Sequence, residues 1–170
     1  VTKNAAVVTI GAIHGGNRSN IIPEQVEMLG TVRTLSEADE KLVFERIRQI
    51  VTKTAEANGT EATLELPYSS HYPVTFNNIA LTAKMLPSLQ KSTGAENVVL
   101  VPAETGAEDF SFFANEVPGF YFYVGALPKG KDPETSAPHH TPEFYLDESG
   151  FITGVNAMVN LVVDYMEMKK

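Results

Sequence analysis

The chain has 170 residues, 13 Lys+Arg against 21 Asp+Glu for a formal net charge of −8, and is 43% hydrophobic and 20% charged. This ordinary globular composition suits one large domain or two small ones, and its acidity argues against a duplex nucleic-acid surface, which needs clustered Lys and Arg. The absence of cysteine excludes a disulfide framework, a thiolate nucleophile and Cys-ligated metal sites, and no apolar run approaches the roughly 20 residues of a membrane span.

The start, Val1-Thr2-Lys3-Asn4, has neither an initiator Met nor a signal-peptide pattern, and is expected to lie inside a longer chain. Ala5 to Ile13 is β-rich and stops at Gly15-Gly16-Asn17; a second strand is expected over Val26 to Leu35, after Ile21-Ile22-Pro23. Ser36-Glu37-Ala38-Asp39 has the form of a capping box, in which a hydroxyl and a carboxylate three residues on satisfy free N–H groups at a helix start. The helix it opens places Leu42, Val43, Ile47, Ile50, Val51 and Thr54 at three- and four-residue steps, and Asn58-Gly59 ends it. Thr60 to Pro67 alternates Ala62, Leu64 and Leu66 with Glu61, Thr63 and Glu65, the pattern of a half-buried strand.

The irregular stretch Tyr68 to Asn78 is the candidate boundary between domains over residues 1–73 and 74–170. Beyond it, Ile79 to Ser92 is expected to be helical, shortened or kinked at Pro87. Val98 to Val101 and Phe120 to Val124 are continuously apolar, as strands covered on both faces are. Gly106-Ala107-Glu108-Asp109-Phe110 is expected to open a short helix, and Ala126 to Pro138 a loop. Glu148 to Met168 carries Phe151, Ile152, Val155, Met158, Val159, Val162 and Tyr165 on one broad face, which predicts a core helix; Phe110, Phe112, Phe113, Tyr121 and Tyr123 read as core or pocket wall. The pattern therefore reads as α/β: a small α+β unit, followed by a second unit of helices and continuously apolar strands.

Four histidines are present, at 14, 71, 139 and 140. Spacing alone makes them polar loop residues, since a catalytic zinc needs three protein ligands and adjacent histidines on extended backbone point apart. The segment His139-His140-Thr141-Pro142-Glu143-Phe144-Tyr145-Leu146-Asp147-Glu148 is more specific, because its proline and extended run can hold an imidazole while an acid starts the last helix.

Three motifs then occur in order: Gly11-Ala12-Ile13-His14-Gly15-Gly16-Asn17-Arg18-Ser19-Asn20-Ile21-Ile22-Pro23 with Gly30-Thr31-Val32-Arg33-Thr34; Gly106-Ala107-Glu108-Asp109-Phe110 with Val117-Pro118-Gly119-Phe120; and His140-Thr141-Pro142 with Asp147-Glu148. Together they resemble the zinc-dependent amidohydrolases of the aminoacylase, hippurate hydrolase and auxin-conjugate hydrolase type. The resemblance implies a two-domain hydrolase with two zincs per full-length subunit (manganese or cobalt being substitutes). This chain would be its C-terminal portion: most of a ferredoxin-like lid, then the end of the catalytic domain. Upstream segments would carry most metal ligands and the general-base glutamate, so no catalytic residue is expected here and the chain alone is expected to be inactive.

By the same resemblance, His140 is a metal ligand and His139 a loop neighbour. Asn20 and Arg33 reach the substrate's carboxylate or backbone, a task suited to an arginine fork, and Gly106 and Ala107 line the substrate pocket. Glu108 and Asp109 are equally explained as first-turn carboxylates at a helix N-terminus. The implied activity is hydrolysis of the amide of N-acyl amino acids by a cytoplasmic homodimer joined through lid edges, with no nucleic-acid or membrane partner. Two alternatives stand beside it: a metallo-carboxypeptidase or dipeptidase of the same family, and a non-catalytic fragment that binds a ligand or a partner chain.

Overall fold

A computed structural model describes residues 5–69 and 71–168. The chain forms two compact units: one runs to Thr75 and takes in Pro102–Phe112, the other comprises Phe76–Val101 and Phe113 onward. The architecture is mixed, with four α-helices and a two-stranded sheet among the described residues.

In the first unit β1 (Ala6–His14) pairs antiparallel with β2 (Glu27–Thr34). The register shifts between Ile10 and Ala12, so Gly11 is the extra residue of a bulge. Gly30, opposite Ile10, has a backbone role: a Cβ there would run into the carbonyl of Thr9. Helix α1 (Glu37–Ala57) packs on β2. Its start follows the expected capping box, with Ser36 Oγ accepting the Asp39 N–H at 3.1 Å and donating to Asp39 Oδ2 at 2.8 Å. The covered residues include Asp39, Leu42, Val43, Phe44, Ile47, Val51 and Ala55, while Ile50 and Thr54 of the expected face are exposed. Asn58 ends the helix, its amide donating to the Thr54 carbonyl at 2.8 Å.

In the second unit α2 (Ile79–Thr93) packs against α4 (Ser149–Glu167). Met85, Ser88 and Leu89 of α2 and Ala157 of α4 are buried. Polar contacts flank them: Asn160 donates to Ser92 Oγ at 2.8 Å, and Lys91 lies 3.3 Å from Asp164. The Ser88 hydroxyl, then Lys91, hold the Asp164 carboxyl below its usual value. α2 runs through Pro87 to Thr93 rather than stopping there. A short helix α3 (Phe110–Glu116) follows the Gly106–Asp109 segment, as its sequence suggests.

Three expected strands do not form. Thr60–Pro67 has no ladder partner; Leu64 and Leu66 are half-buried and Glu61, Thr63 and Glu65 exposed, as the alternation predicts, but Ala62 of the expected inward face is exposed. Val98–Val101 and Phe120–Val124 likewise have none, so the sheet of a larger α/β domain is absent among the described residues. The physical reason is pairing: a strand exists only where another segment takes up its N–H and C=O groups. At Tyr121 a side chain does so instead, Asn77 accepting the Tyr121 N–H and donating to its carbonyl, both at 2.7 Å. Asn78 accepts the Leu81 N–H at 2.9 Å and caps α2.

Nor is α4 a core helix in this chain. Phe151, Ile152, Val155, Met158, Val159 and Val162 are all exposed, as are Phe112, Phe113 and Tyr123 of the expected aromatic core, whereas Phe110 and Tyr121 are half-buried. The accessible surface is 13639 Å², against about 8,200 Å² for a compact protein of 18.5 kDa and about 9,900 Å² for two separate halves of it. The apolar faces therefore exceed what the chain itself covers.

The contrast between two glycines tests the strand pairing. Gly30→Ala is expected to lower the unfolding free energy by about 1–3 kcal/mol, because the added methyl meets backbone. Gly11→Ala, whose methyl would meet nothing within 4 Å, should change it by less than about 0.5 kcal/mol. Urea unfolding followed by circular dichroism measures both, and equal effects would contradict the register.

Candidate functional site

β2 presents Arg33 on the solvent side of the sheet, opposite Val7 in register. Its guanidinium Nη1 donates to the carbonyl of Thr105 at 3.1 Å, 72 residues away in sequence. The next two residues are Gly106 and Ala107, both exposed, and a Cβ at Gly106 would meet nothing within 4 Å. The first unit thus gathers Arg33, Gly106 and Ala107 about one exposed turn. Asn20 occupies a different exposed turn, between β1 and β2, and hydrogen-bonds to none of them. The Thr105 carbonyl has no sequence signal beyond its place before a glycine.

Glu108 serves the helix that follows. Its Oε1 accepts the Phe110 N–H at 3.2 Å, and its carbonyl accepts from the Ser111 hydroxyl at 2.7 Å and the Ser111 N–H at 3.2 Å. The Asp109 carbonyl accepts the Phe112 N–H at 3.1 Å. Both carboxylate residues thus contribute to the start of α3.

The four histidines occupy different environments. His14 ends β1 opposite Glu27, and His71 Nε2 lies 2.7 Å from Glu40 Oε1. In the second unit His139 packs its ring on Phe144, with centroids 4.6 Å apart. His140 has φ +65, the one non-glycine residue in the left-handed region among those described. That conformation costs a residue with a Cβ about 1–2 kcal/mol. It is imposed by a tight turn in which the Thr141 hydroxyl donates to the Pro138 carbonyl at 2.8 Å and the Phe144 N–H to the Thr141 carbonyl at 3.1 Å. The His140 imidazole is exposed and makes no hydrogen bond with the described residues.

The far end of this segment is fixed by Asp147. Its N–H donates to the Ala126 carbonyl at 2.8 Å, and its Oδ1 accepts the Ser149 N–H at 2.9 Å at the start of α4. Hydrogen bonds from the Ser149 side chain and backbone, with Lys129 nearby, hold the Asp147 carboxyl below its ordinary value of 3.8. Beside it an apolar cavity of ≈ 510 Å³ is lined by Val124, Leu146, Phe151, Val155, Met158 and Val159 among others. No candidate site residue lines it.

Among the described residues no group of three or more His, Asp or Glu side chains is placed to hold a metal ion. A catalytic zinc needs three protein ligands. His140 offers one exposed nitrogen pair, so these residues do not make a metal centre by themselves. No helix described is long and apolar enough to cross a membrane.

Comparison with known proteins identifies the lineage of this arrangement. The model of peptidase family M20/M25/M40 matches residues 3–164. The chain belongs to that family. It is 31% identical to the N-acetyldiaminopimelate deacetylase of Leuconostoc citreum, over 92% of this chain and 38% of that protein. It is 33% identical to thermostable carboxypeptidase 2 of Saccharolobus solfataricus, over 94% and 39% respectively. The solved structure of Bacillus subtilis YXEP, a dinuclear metal binding peptidase from the M20 family, superposes with a TM-score of 0.75 at 27% identity, over 95% of this chain and 42% of that one. This M20 chain thus spans about 40% of the length of these relatives.

Two predictions follow from the His140 segment. His140→Gly should leave stability unchanged or raise it by up to about 1 kcal/mol, because glycine relieves the left-handed strain. His139→Gly, with no such strain to relieve, should lower it by about 0.5–1 kcal/mol. Denaturant midpoints of the two variants measure this, and a loss at His140 equal to that at His139 would contradict the strained turn. The second concerns acid. A depressed carboxyl pKa contributes stability above the unfolded-state value and loses it as pH falls through the folded-state value. The start of α4 should therefore loosen as pH drops below 3.8, read as lower protection of the Ser149 and Gly150 amides relative to their intrinsic exchange rates. Asp147→Asn should remove that pH dependence, and an unchanged profile would refute the assignment.

Proposed function

We propose that this chain works within a metal-dependent amidohydrolase that cleaves the amide bond of N-acyl amino acids. The first unit is read as part of a substrate-gripping lid and the second as the C-terminal part of the catalytic domain. Arg33, with Asn20, takes the substrate carboxylate; Gly106 and Ala107 form the pocket wall against which the amide lies; His140 is one metal ligand. The observation that carries the reading is the placement of the Arg33 guanidinium at the turn leading into Gly106 and Ala107. A cationic fork beside approachable backbone N–H groups suits a carboxylate next to an amide.

The named reactions of the relatives share that substrate chemistry. A deacetylase of N-acetyldiaminopimelate and a carboxypeptidase each act on an amide bond of a residue that bears a carboxylate. The carboxypeptidase also supports a second reading, peptide rather than acyl cleavage, which the same fork would serve. A homodimer through the lid is proposed with the function, since a two-stranded sheet has backbone groups free on both edges.

The test uses the intact protein. His140→Ala is expected to lower hydrolysis of N-acyl amino acids by more than the roughly 10- to 100-fold that loss of an outer-shell partner costs a metal site. It should also lower the zinc content per chain, while His139→Ala keeps both. Activity and zinc surviving His140→Ala, or equal losses in the two variants, would sink the ligand role. Arg33→Ala should cost acid substrates about 10- to 100-fold more than their α-amides, the worth of a lost charge-assisted hydrogen bond. Identical losses for acids and amides would remove the carboxylate from the proposal.

A further inference from the structure

The hydrogen bond from Arg33 to Thr105 has a consequence apart from substrate charge. A guanidinium has five N–H donors in a rigid plane. One on Nη1 is taken by the Thr105 carbonyl at 3.1 Å, leaving a two-donor edge for a carboxylate. The same bond acts on the turn. Residues 102–107 have neither helix nor strand, Gly106 and Ala107 are exposed, and Gly106 is without side-chain contacts to fix it. A glycine in such a segment moves freely unless its neighbour is tied, and Arg33 ties the neighbouring carbonyl to a paired strand.

We infer that Arg33 is a positioning residue for the Thr105–Ala107 turn as well as a binding group, so that one side chain sets both the carboxylate fork and the backbone beside it. The bond works in both directions: the carbonyl fixes the plane of the fork, and the fork fixes the carbonyl. Substrates with no carboxylate therefore still depend on Arg33, because the turn that receives their amide is held by it. The kinetic half of this inference rests on the amidohydrolase reading above; the structural half does not.

The experiment compares Arg33→Ala, Arg33→Lys and, as a surface control, Arg46→Ala, whose guanidinium bonds Gln49 within α1. In the intact protein without substrate, Arg33→Ala should lower the backbone 15N order parameters of Gly106 and Ala107 from the roughly 0.85 of ordered backbone toward about 0.6. Arg46→Ala should leave them unchanged. With N-acyl amino acid α-amides, Arg33→Ala should lower kcat/KM by about three- to tenfold, the worth of one exposed hydrogen bond. Arg33→Lys, which can reach one carbonyl but cannot fork, should recover part of the loss for amides and less for acids. Lowered order parameters with equal losses for acids and amides keep this inference and remove the carboxylate role. Unchanged order parameters at Gly106 and Ala107 in Arg33→Ala overturn this inference, whatever the carboxylate role proves to be.

Discussion

Backbone pairing is the constraint on which the rest of this structure depends. An N–H or C=O removed from water must find a partner, and the described residues provide one ladder, between β1 and β2. Most of the other bonds close within a helix or a turn, with a few longer ties such as Asn78 to Gly119 and Asp147 to Ala126. Helices serve themselves, and their ends are closed by Ser36, Asn78, Glu108 and Asp147. At Tyr121 the Asn77 amide supplies one donor and one acceptor, the two contacts a neighbouring strand would make. Segments with good strand composition but no such neighbour remain extended and unpaired. Of their apolar side chains Val99, Leu100, Val101, Tyr123 and Val124, like the broad face of α4, stay exposed for the same reason: a layer is buried only by another layer.

This economy explains how the candidate site is held. Arg33 stands on β2, which is fixed by its pairing with β1 and by the packing of α1. The turn at Thr105–Ala107 has no regular structure to stiffen it, and the Arg33 bond supplies a long-range tie. A charge-assisted bond is worth more than a neutral one, but exposure to water discounts it, so the tie is a bias and not a clamp. A bias suits the ligand-admitting role proposed for this turn. Rigidity sits in the sheet, adaptability in the glycine, and one side chain links them.

How much of this was legible in the sequence depended on the range of the interaction involved. Local signals read well. The Ser36–Asp39 capping box, the Asn58–Gly59 stop and the helices at 79–93 and 149–167 all follow from chemistry within a few residues. Non-local pairing read poorly, because hydrophobic alternation at Leu64 and Leu66 reports a face and not a partner. Continuous apolar runs such as Val98–Val101 report a burial that this chain does not supply. The family was legible from three ordered motifs, and the family match over residues 3–164 agrees with them. The Thr105 carbonyl was not legible, since any residue carries one and only the fold selects which is used.

His140 shows where local and global requirements part. Left-handed turns elsewhere in the described chain, at Gly16, Gly59, Gly94 and Gly130, are filled by the residue that adopts them without steric cost. At position 140 the turn is as left-handed, yet a histidine occupies it, and no hydrogen bond or packing contact of its ring repays the strain. The neighbouring His139 shows the ordinary alternative, an unstrained backbone with the ring against Phe144. Folding alone would favour glycine at 140 and leave 139 as it is. That uncompensated strain is the structural observation that favours the side-chain role proposed for His140. The backbone that carries this exposed imidazole is braced at both ends, by Thr141 to Pro138 and by Asp147 to Ala126, so the turn itself has little freedom left to lose.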